Sequence, residues 1–530
     1  MSGAPWRRRP LLAGAAAAVV LGAGAAAWYA RLGLTLSHYD ARGHLVVSRR
    51  IVDSITPGWQ QVGAVWLPFP HLLNALPVQV DWFYRTGASG VAISIVSFAA
   101  AVTAILWLVT RLTGSRLAAV AGALVFALNP NVLYLQSTPM TEPLLMALTL
   151  GSIALLMAYC DAVVASTTAS APAWVTDGQA QAGRPRSLQS WGPPSGGPGA
   201  TDEGPSTALV GWVFVLACMT RYEAWPVTIG ALVASVWVLW RRGVAPRHAA
   251  WAVGRVAIYP LVSLVAFSIF SKVVVGAWFA SGFFVPENPA QGQPFEAVKQ
   301  IIWGLREISG TAVLAAAAAG GVVLTGTALM RADRSDHILP LALLGTASVP
   351  WSAFVDGHPY RIRYMVPLIA IQSICAGVAA GSWRRMRPLF MAVVVGACLW
   401  DLRPLNAGAP MVTEAEWDRP NIVARDRVTS CLTAHYRGES IMASMGSLGH
   451  YMQDLSRAGF SLRDILHEGN GDIWLNALNS PRPFAGWILI EEKAEGGDML
   501  AQIVRERPSF LEGYTRTCEA AGVALYRRLE

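Results

Sequence analysis

The chain has 530 residues, of which 54% are hydrophobic and only 14% are charged, and its formal net charge is +8. A soluble domain usually carries about 25% charged residues, so the composition excludes an ordinary soluble protein and indicates one surrounded largely by lipid. Its Lys and Arg residues stand in short clusters between apolar segments. Because a nucleic-acid-binding protein would present a continuous basic surface, we expect no nucleic-acid partner.

Eleven apolar segments are candidates for membrane-spanning helices, each of which needs about 20 residues. They run near residues 11–29, 87–109, 117–128, 139–159, 208–219, 225–240, 256–275, 311–329, 338–354, 365–380 and 389–399. The first follows three arginines and could also be a cleavable signal peptide, but we favour a retained anchor because the rest of the chain is itself apolar. The sequence thus predicts a polytopic α-helical membrane protein with about 11 transmembrane helices.

The arginines between these segments predict the orientation of the chain. With the N-terminus in the cytoplasm, every short Arg-rich loop falls on the cytoplasmic side, where positive charge accumulates. These loops contain Arg111, Arg116, Arg241, Arg242, Arg247, Arg331, Arg334, Arg384, Arg385 and Arg387. An odd number of spans then places the C-terminal region outside the cytoplasm. The basic, Ala- and Trp-rich composition is compatible with a GC-rich bacterium, so we expect the bacterial inner membrane.

Two long regions lack membrane-spanning character. Residues 161–206 are rich in Ser, Gly, Pro, Ala and Gln, which predicts a disordered cytoplasmic loop within a transmembrane domain over residues 1–400. Residues 401–530 predict a small extracytoplasmic α/β domain. Its strands are expected near 440–444, 487–490 and 521–526, and its helices near 447–458 and 499–505.

Two cysteines of the C-terminal region, Cys431 and Cys518, would lie in an oxidising compartment. There they could form a disulfide, and two unpaired buried thiols are the alternative.

The first outer loop, residues 31–86, is too aromatic and apolar for a free linker, and we expect it to form helices along the membrane interface. Its first part contains Asp40, Arg42 and His44. A carboxylate so close to lipid is costly unless it is paired or functional. Asp40 is therefore a helix N-cap, an ion-pair partner of Arg42, or a catalytic group.

Two further outer turns carry ionisable residues. Glu142 follows Pro139-Met140-Thr141 at the start of the fourth span, where it could simply favour the helix N-terminus. Arg221, Tyr222 and Glu223 lie between two apolar segments, and the Arg and Glu could form a structural ion pair.

A third outer turn contains His358, Arg361, Arg363 and Tyr364. Two arginines on the outer side run against the usual charge distribution and require an anionic partner. Arg grips phosphate through a bidentate fork, so we expect a phospholipid or a polyprenyl-phosphate. The alternative is non-specific contact with lipid headgroups.

These motifs together resemble those of the GT-C membrane glycosyltransferases. The resemblance rests on the acidic residue after the first span, Asn129-Pro130 at the end of the third, Glu142, the sequence Thr-Arg-Tyr-Glu-Ala-Trp-Pro and the sequence Arg-Tyr-Met-Val-Pro. It covers about residues 11–399 and is strongest for the family 39-like bacterial enzymes, which include protein O-mannosyltransferases and aminoarabinose transferases of lipid A. The family commonly has an acidic pair in the first outer loop, whereas Ala41 follows Asp40 here, which leaves the substrate subgroup open.

The resemblance implies transfer of a sugar from a polyprenyl-phosphate carrier to an acceptor hydroxyl, with inversion and with Asp40 as general base. Arg361 and Arg363, aided by Arg221, would stabilise the leaving phosphate. The expected partners are the lipid-linked donor, membrane lipids and a glycan, lipid or protein acceptor. The candidate substrate-binding residues are Arg42, His44, Glu142, Arg221, Tyr222, Glu223, His358, Arg361, Arg363 and Tyr364.

The resemblance also leaves a cofactor and other functions open. Some relatives bind a divalent metal, for which Glu142, His44 and His358 are loose candidate ligands; no other cofactor is implied. A transporter or flippase for lipid-linked saccharides would need polar residues near mid-membrane, and a polymerase is closer in chemistry. A non-catalytic scaffold has no evident need for so many ionisable outer turns.

Overall fold

The computed structural model describes residues 8–62, 66–169, 204–276, 278, 287–382, 384–417, 419–494 and 497–529. The first part of the chain forms a helical domain, and the last part forms an α/β domain. The first helices are α1 (Arg8–Arg31), α2 (Tyr39–Arg50), α3 (Phe69–Asn74), α4 (Asp81–Thr86), α5 (Ala88–Thr113), α6 (Arg116–Ala127), α7 (Pro130–Leu135) and α8 (Glu142–Ala169). They are followed by α9 (Thr207–Cys218), α10 (Ala224–Arg241), α11 (Pro246–Val275), α12 (Pro294–Ser309), α13 (Thr311–Met330), α14 (Ser348–Val355), α15 (Ile369–Gly381) and α16 (Arg387–Leu402).

Within the described residues, eight helical segments are long and apolar enough to cross a membrane. Two of them are composite, because 3-10 turns over Ala332–Ala347 and Ile362–Leu368 lead into α14 and α15. Together with the shorter helices α6, α9 and α16, they coincide with the eleven apolar segments of the sequence. The predicted polytopic helical fold is therefore confirmed.

Small residues allow the central helices to pack closely. A Cβ atom on Gly320 of α13 would overlap the backbone carbonyl of Cys375 in α15. A Cβ on Gly122 of α6 would lie only 2.7 Å from the carbonyl oxygen of Ser373 in α15. Such close backbone approach is typical of helices that associate in lipid, where van der Waals packing replaces the hydrophobic effect.

A ring of four charged side chains joins helix ends at one face of the bundle. Arg111 lies 2.8 Å from Asp161 and 2.7 Å from Asp336, and Arg242 lies 2.7 Å and 2.8 Å from the same two carboxylates. Asp161 belongs to α8, which continues to Ala169. The predicted loop therefore begins at least nine residues too early, because an apolar helix and its ion pairs extend into it. Residues 170–203 lie outside the described residues.

The C-terminal domain contains a five-stranded sheet in the order β2-β1-β3-β5-β4. Its strands are β1 (Ile441–Ala443), β2 (Ile465–Leu466), β3 (Trp487–Glu491), β4 (Tyr514–Ala520) and β5 (Val523–Arg528). Strand β1 is parallel to β2 and β3, whereas β5 is antiparallel to β3 and β4. The helices are α17 (Pro410–Glu416), α18 (Arg419–His435), α19 (Met445–Leu448), α20 (Met452–Arg457), α21 (Asp472–Asn479) and α22 (Met499–Glu506). Cys431 of α18 and Cys518 of β4 form a disulfide.

The C-terminal domain docks on the loop that contains α2. Arg42 lies 3.6 Å from Asp454, and the Asp53 carboxylate accepts hydrogen bonds from the backbone of Leu462 and from Arg463. Gln61 donates to the Gly469 carbonyl at 2.7 Å. Helix α2 is consequently buried from Asp40 to Arg49. The predicted loop helices are present, but α2 lies beneath the C-terminal domain instead of open to the membrane interface.

Candidate active site

The centre of the candidate site is Asp40, in the first turn of α2. The N-cap of this helix is His38, whose Nδ1 accepts the backbone N–H of Asp40 at 3.1 Å. The Asp40 side chain is only 2% exposed and contacts the guanidinium of Arg363. A carboxylate inside the protein requires such a counter-charge, because the cost of removing it from water is otherwise large.

The two non-catalytic alternatives for Asp40, a helix N-cap and an ion pair with Arg42, are therefore wrong. The cap is His38, since its ring accepts the free backbone N–H of Asp40 in the first turn. Arg42 donates to the carbonyl oxygen of Leu36 in its own loop and to that of His450 in the C-terminal domain, where it also lies close to Asp454. It therefore links the two domains.

In the third outer turn, Arg363 lies beside Tyr364, which in turn lies beside His358. Its guanidinium carbon lies 5.4 Å from the ring centroid of Tyr364. The Tyr364 hydroxyl lies 3.4 Å from Nε2 of His358, whose Nδ1 faces the Pro359 carbonyl at 2.8 Å. Because Nδ1 donates to that carbonyl, Nε2 is left to accept the Tyr364 proton.

Arg221 holds a second cluster of buried charges. It lies 3.0 Å from Glu142 and 2.7 Å from Glu223, and it donates to Thr141 at 3.1 Å. Glu142 is fully buried at the start of α8, in direct contact with the guanidinium of this arginine. The predicted ion pair of Arg221 and Glu223 is thus extended by a second carboxylate. Tyr222 packs its ring edge-on against Trp225 in the same turn.

Two buried histidines lie one turn beyond Asp40 on α2 and in the neighbouring helix α3. His44 Nδ1 lies 3.0 Å from His71 Nε2, and His71 Nδ1 donates to the Leu67 carbonyl. Burial lowers the pKa of His71 to about 3, and burial together with His71 and Arg221 holds the pKa of His44 well below its usual value. Both rings are therefore neutral, and the indole of Trp66 covers His44 with ring centroids 4.1 Å apart.

Electrostatic interactions connect these groups around one site. The positive charge of Arg221 lowers the pKa of His44, and Arg221 also interacts electrostatically with Tyr364. The positive charges of Arg363 and Arg361 lower the pKa of Glu414 in α17. The structure thus brings residues from the four predicted positions of the sequence together, with the exception of Arg42, which contacts the C-terminal domain.

The suggested metal ligands do not fit a metal site. Glu142 is engaged by Arg221, His44 by His71, and His358 by Tyr364 and the Pro359 carbonyl. Within the described ranges, no three His, Cys, Asp or Glu side chains are grouped so that they could hold a metal ion. We therefore derive no step through a metal.

Sequence reasoning missed His38, His71 and Glu414. His38 stands directly beside the predicted Asp40, in a Ser-His that precedes a helix, which is a position where caps occur. Glu414 lies 3.3 Å from His38 through Oε1, although the two residues are far apart in the chain. No local pattern distinguishes it from Glu416, two residues later.

Comparison with solved structures defines the class of this fold, which is that of the GT-C membrane glycosyltransferases. ArnT from Cupriavidus metallidurans, solved bound to undecaprenyl phosphate, matches with a TM-score of 0.54 and 12% sequence identity over 96% of this chain and 97% of that chain. Its apo structure matches with a TM-score of 0.50 and 12% identity over 95% of this chain and 98% of that chain. An oligosaccharyltransferase from Archaeoglobus fulgidus gives 0.48 and 10% identity over 91% of this chain and 70% of that chain.

The predicted GT-C fold is confirmed by the likeness to the two ArnT structures, and the chain is a multi-pass membrane protein. No protein-family profile matches the sequence, and no curated protein matches it significantly.

Proposed function

We propose that this protein is a glycosyltransferase that moves a sugar from a polyprenyl-phosphate-linked donor to an acceptor hydroxyl. The observation that carries the proposal is the buried Asp40 carboxylate in contact with Arg363. This contact places a candidate base beside a side chain suited to bind phosphate. The fold supports the donor class, because ArnT, which it matches over nearly its whole length, was solved with undecaprenyl phosphate.

In the proposed reaction, Asp40 accepts the proton of the acceptor hydroxyl. The hydroxyl oxygen attacks the anomeric carbon from the face opposite the phosphate, the bond between that carbon and the phosphate oxygen breaks, and the configuration inverts. Arg363 exchanges Asp40 for the donor phosphate, which leaves the carboxylate free to take the proton. Arg361 and Arg221 add positive charge where the leaving phosphate becomes more negative.

The remaining groups position Arg221 and Arg363 or bind the sugar. Glu142 and Glu223 fix the position of Arg221 through their ion pairs. The remaining ring nitrogen of the neutral His44, Nε2, can accept a hydrogen bond from a sugar hydroxyl without adding charge to the site, and His71 holds the His44 ring in place. Tyr364 and His358 support Arg363 from the other side.

We further propose that the protein lies in the bacterial inner membrane with its N-terminus in the cytoplasm and its C-terminal domain outside. The disulfide supports this orientation, because such bonds persist in oxidising compartments. The Arg111 and Arg242 ring, at the end of the bundle predicted to be cytoplasmic, follows the usual distribution of positive charge.

The test is sugar release by the purified protein in nanodiscs, with a panel of radiolabelled polyprenyl-phosphate sugars. We expect Asp40→Asn to keep its fold and to lose about 10²-fold or more in turnover, because a positioned general base supplies about 10²–10⁴ in rate. Asp81→Asn is the matched control, since Asp81 is half-exposed and pairs with Arg49 and Arg85 in the same loop.

Equal turnover by Asp40→Asn and the wild type, at matched abundance, would show that Asp40 is not the base. If neither protein consumes any donor, the glycosyltransferase proposal fails and transport of the same lipids into liposomes is measured instead. A product that grows by repeated units would identify a polymerase.

A further inference from the structure

The short helix α17 is held firmly against the candidate site. It follows the last membrane-spanning helix and begins with Pro410, which suits the first turn of a helix. The Ser37 hydroxyl donates to the Ala415 carbonyl at 2.7 Å, and the Met411 N–H donates to Asn131 Oδ1 at 3.0 Å. These bonds connect α17 to the first outer loop and to α7, so the side chain of Glu414 has a fixed position.

Glu414 and Asp40 are linked through the same imidazole. Nδ1 of His38 accepts the backbone N–H of Asp40, so the proton of this ring is on Nε2. Nε2 therefore donates to Glu414 Oε1, at 3.3 Å. The other oxygen, Oε2, is buried and has no hydrogen-bond partner among the described residues. The Glu414 side chain as a whole is only 7% exposed.

The surroundings keep this carboxylate charged. Burial alone would raise the pKa of Glu414, but the His38 hydrogen bond and the positive charges of Arg363 and Arg361 hold it below its usual value. An ionised carboxylate oxygen can only accept hydrogen bonds. Leaving it buried without a donor costs free energy, so this atom requires a further hydrogen-bond donor, from a ligand or a water molecule.

We propose that Glu414 is a substrate-binding residue whose Oε2 accepts a hydrogen bond from a substrate hydroxyl held beside Asp40. The inference rests on the proposed glycosyltransferase function and adds a second carboxylate to its site. A cationic ligand is disfavoured, because Arg361 and Arg363 face the same carboxylate. The hydroxyl belongs either to the transferred sugar or to the acceptor, and these two sources share the same chemistry.

The test uses the Glu414→Gln variant in the donor assay described above. Glutamine keeps an oxygen for His38 but replaces the free acceptor by an NH₂ donor. Glu416→Gln is the matched control, because Glu416 lies on the same helix, is about half-exposed and pairs with Arg419. We expect Glu414→Gln to raise one KM at least about tenfold, as a hydrogen bond to a charged group is lost, and the control to match the wild type.

The KM for the donor and the KM for the acceptor distinguish the two possible sources of the hydroxyl. A rise for the donor assigns the hydroxyl to the transferred sugar, and a rise for the acceptor assigns it to the acceptor. Glu414→Asp retains the charge but withdraws the oxygen by one methylene, so it should also raise the same KM. If Glu414→Gln folds with unchanged kcat and unchanged KM for both substrates, Oε2 binds water only and the proposal is wrong.

A binding measurement separates this inference from the proposed reaction. Each protein is titrated with glycosylated polyprenyl phosphate and with bare polyprenyl phosphate. If the wild type is inactive but prefers the glycosylated lipid, and Glu414→Gln loses that preference, Glu414 binds sugar although the reaction proposed above fails. An equal preference in an inactive wild type and the variant overturns a role of Glu414 in binding the transferred sugar.

Discussion

The buried carboxylates of this protein differ in what surrounds them. Asp40 and Glu142 face arginines, whereas Asp498 accepts hydrogen bonds from the backbone N–H groups of Ala501 and Glu491 at 2.8 and 3.0 Å. Burial raises the pKa of Asp498 to about 6 in spite of these bonds, and the nearby Glu491 adds to the effect. Asp498 therefore titrates near pH 6.

This titration predicts a pH dependence for the C-terminal domain. The pKa of Asp498 is higher in the folded protein than in an unfolded chain, where it is about 3.9, so the folded state binds the proton more tightly. The stabilisation is complete below about pH 4, is lost as the pH rises toward 6, and stays constant above that. Asp498→Asn should reduce the difference between the melting temperatures at pH 4.5 and pH 7.

The melting temperature is measured by Trp fluorescence in detergent, with Asp472→Asn as the control because Asp472 is exposed at the start of α21. If the melting temperature falls equally between pH 4.5 and pH 7 in the wild type and in Asp498→Asn, this pH dependence does not come from Asp498.

At single positions, the sequence revealed which residues are unusual but not which of them pair. Asp40 stood out because a charge so close to lipid is costly, and Arg363 because arginines are unusual in an outer turn. Their contact arises only when α2 and the turn before α15 come together, and two separate sequence motifs cannot report that. Glu414 escaped notice because the polar region after the last span makes a glutamate unremarkable there.

Among the elements, the packing of α13 on α15 gives the sharpest test of the helical domain. Gly320 lies directly against the backbone of Cys375. Gly320→Ala should destabilise the protein by about 1–3 kcal/mol, because the added methyl forces the two helices apart. Gly326→Ala, on the same helix, meets only the flexible end of Met330 at 3.6 Å and should leave the melting temperature unchanged or raise it. Equal melting temperatures for the two variants would show that the helices yield without cost.

The membrane-spanning helices and the buried strands were predictable from the sequence, whereas the very short and the exposed strands were not. A membrane demands long apolar helices, so eleven segments were visible in the sequence. The buried strands β1, β3 and β5 are apolar runs and were found. Strand β2 has only two residues, and the edge strand β4 exposes most of its side chains, so neither produced an apolar pattern.

For the whole molecule, the orientation across the membrane decides whether the site faces the proposed substrates. We expect a cysteine in place of Glu506, exposed on the C-terminal domain, to react with a membrane-impermeant maleimide in spheroplasts. A cysteine in place of Arg247, exposed at the start of α11, should react only after permeabilisation. The native cysteines give little background, because four are buried and two are bonded. The opposite labelling pattern would reverse the proposed orientation.

The docking of the C-terminal domain on the α2 loop has a consequence for biosynthesis. Arg463 contacts Asp53 from 410 residues further along the chain. At about 5–20 residues per second, a ribosome needs about 20–80 s to make that intervening length. During this interval the loop that carries Asp40 is already translated while Asp454 and Arg463 do not yet exist. The α2 loop therefore stays uncovered until the C-terminal domain has been synthesised, and a chain that terminates early cannot cover it.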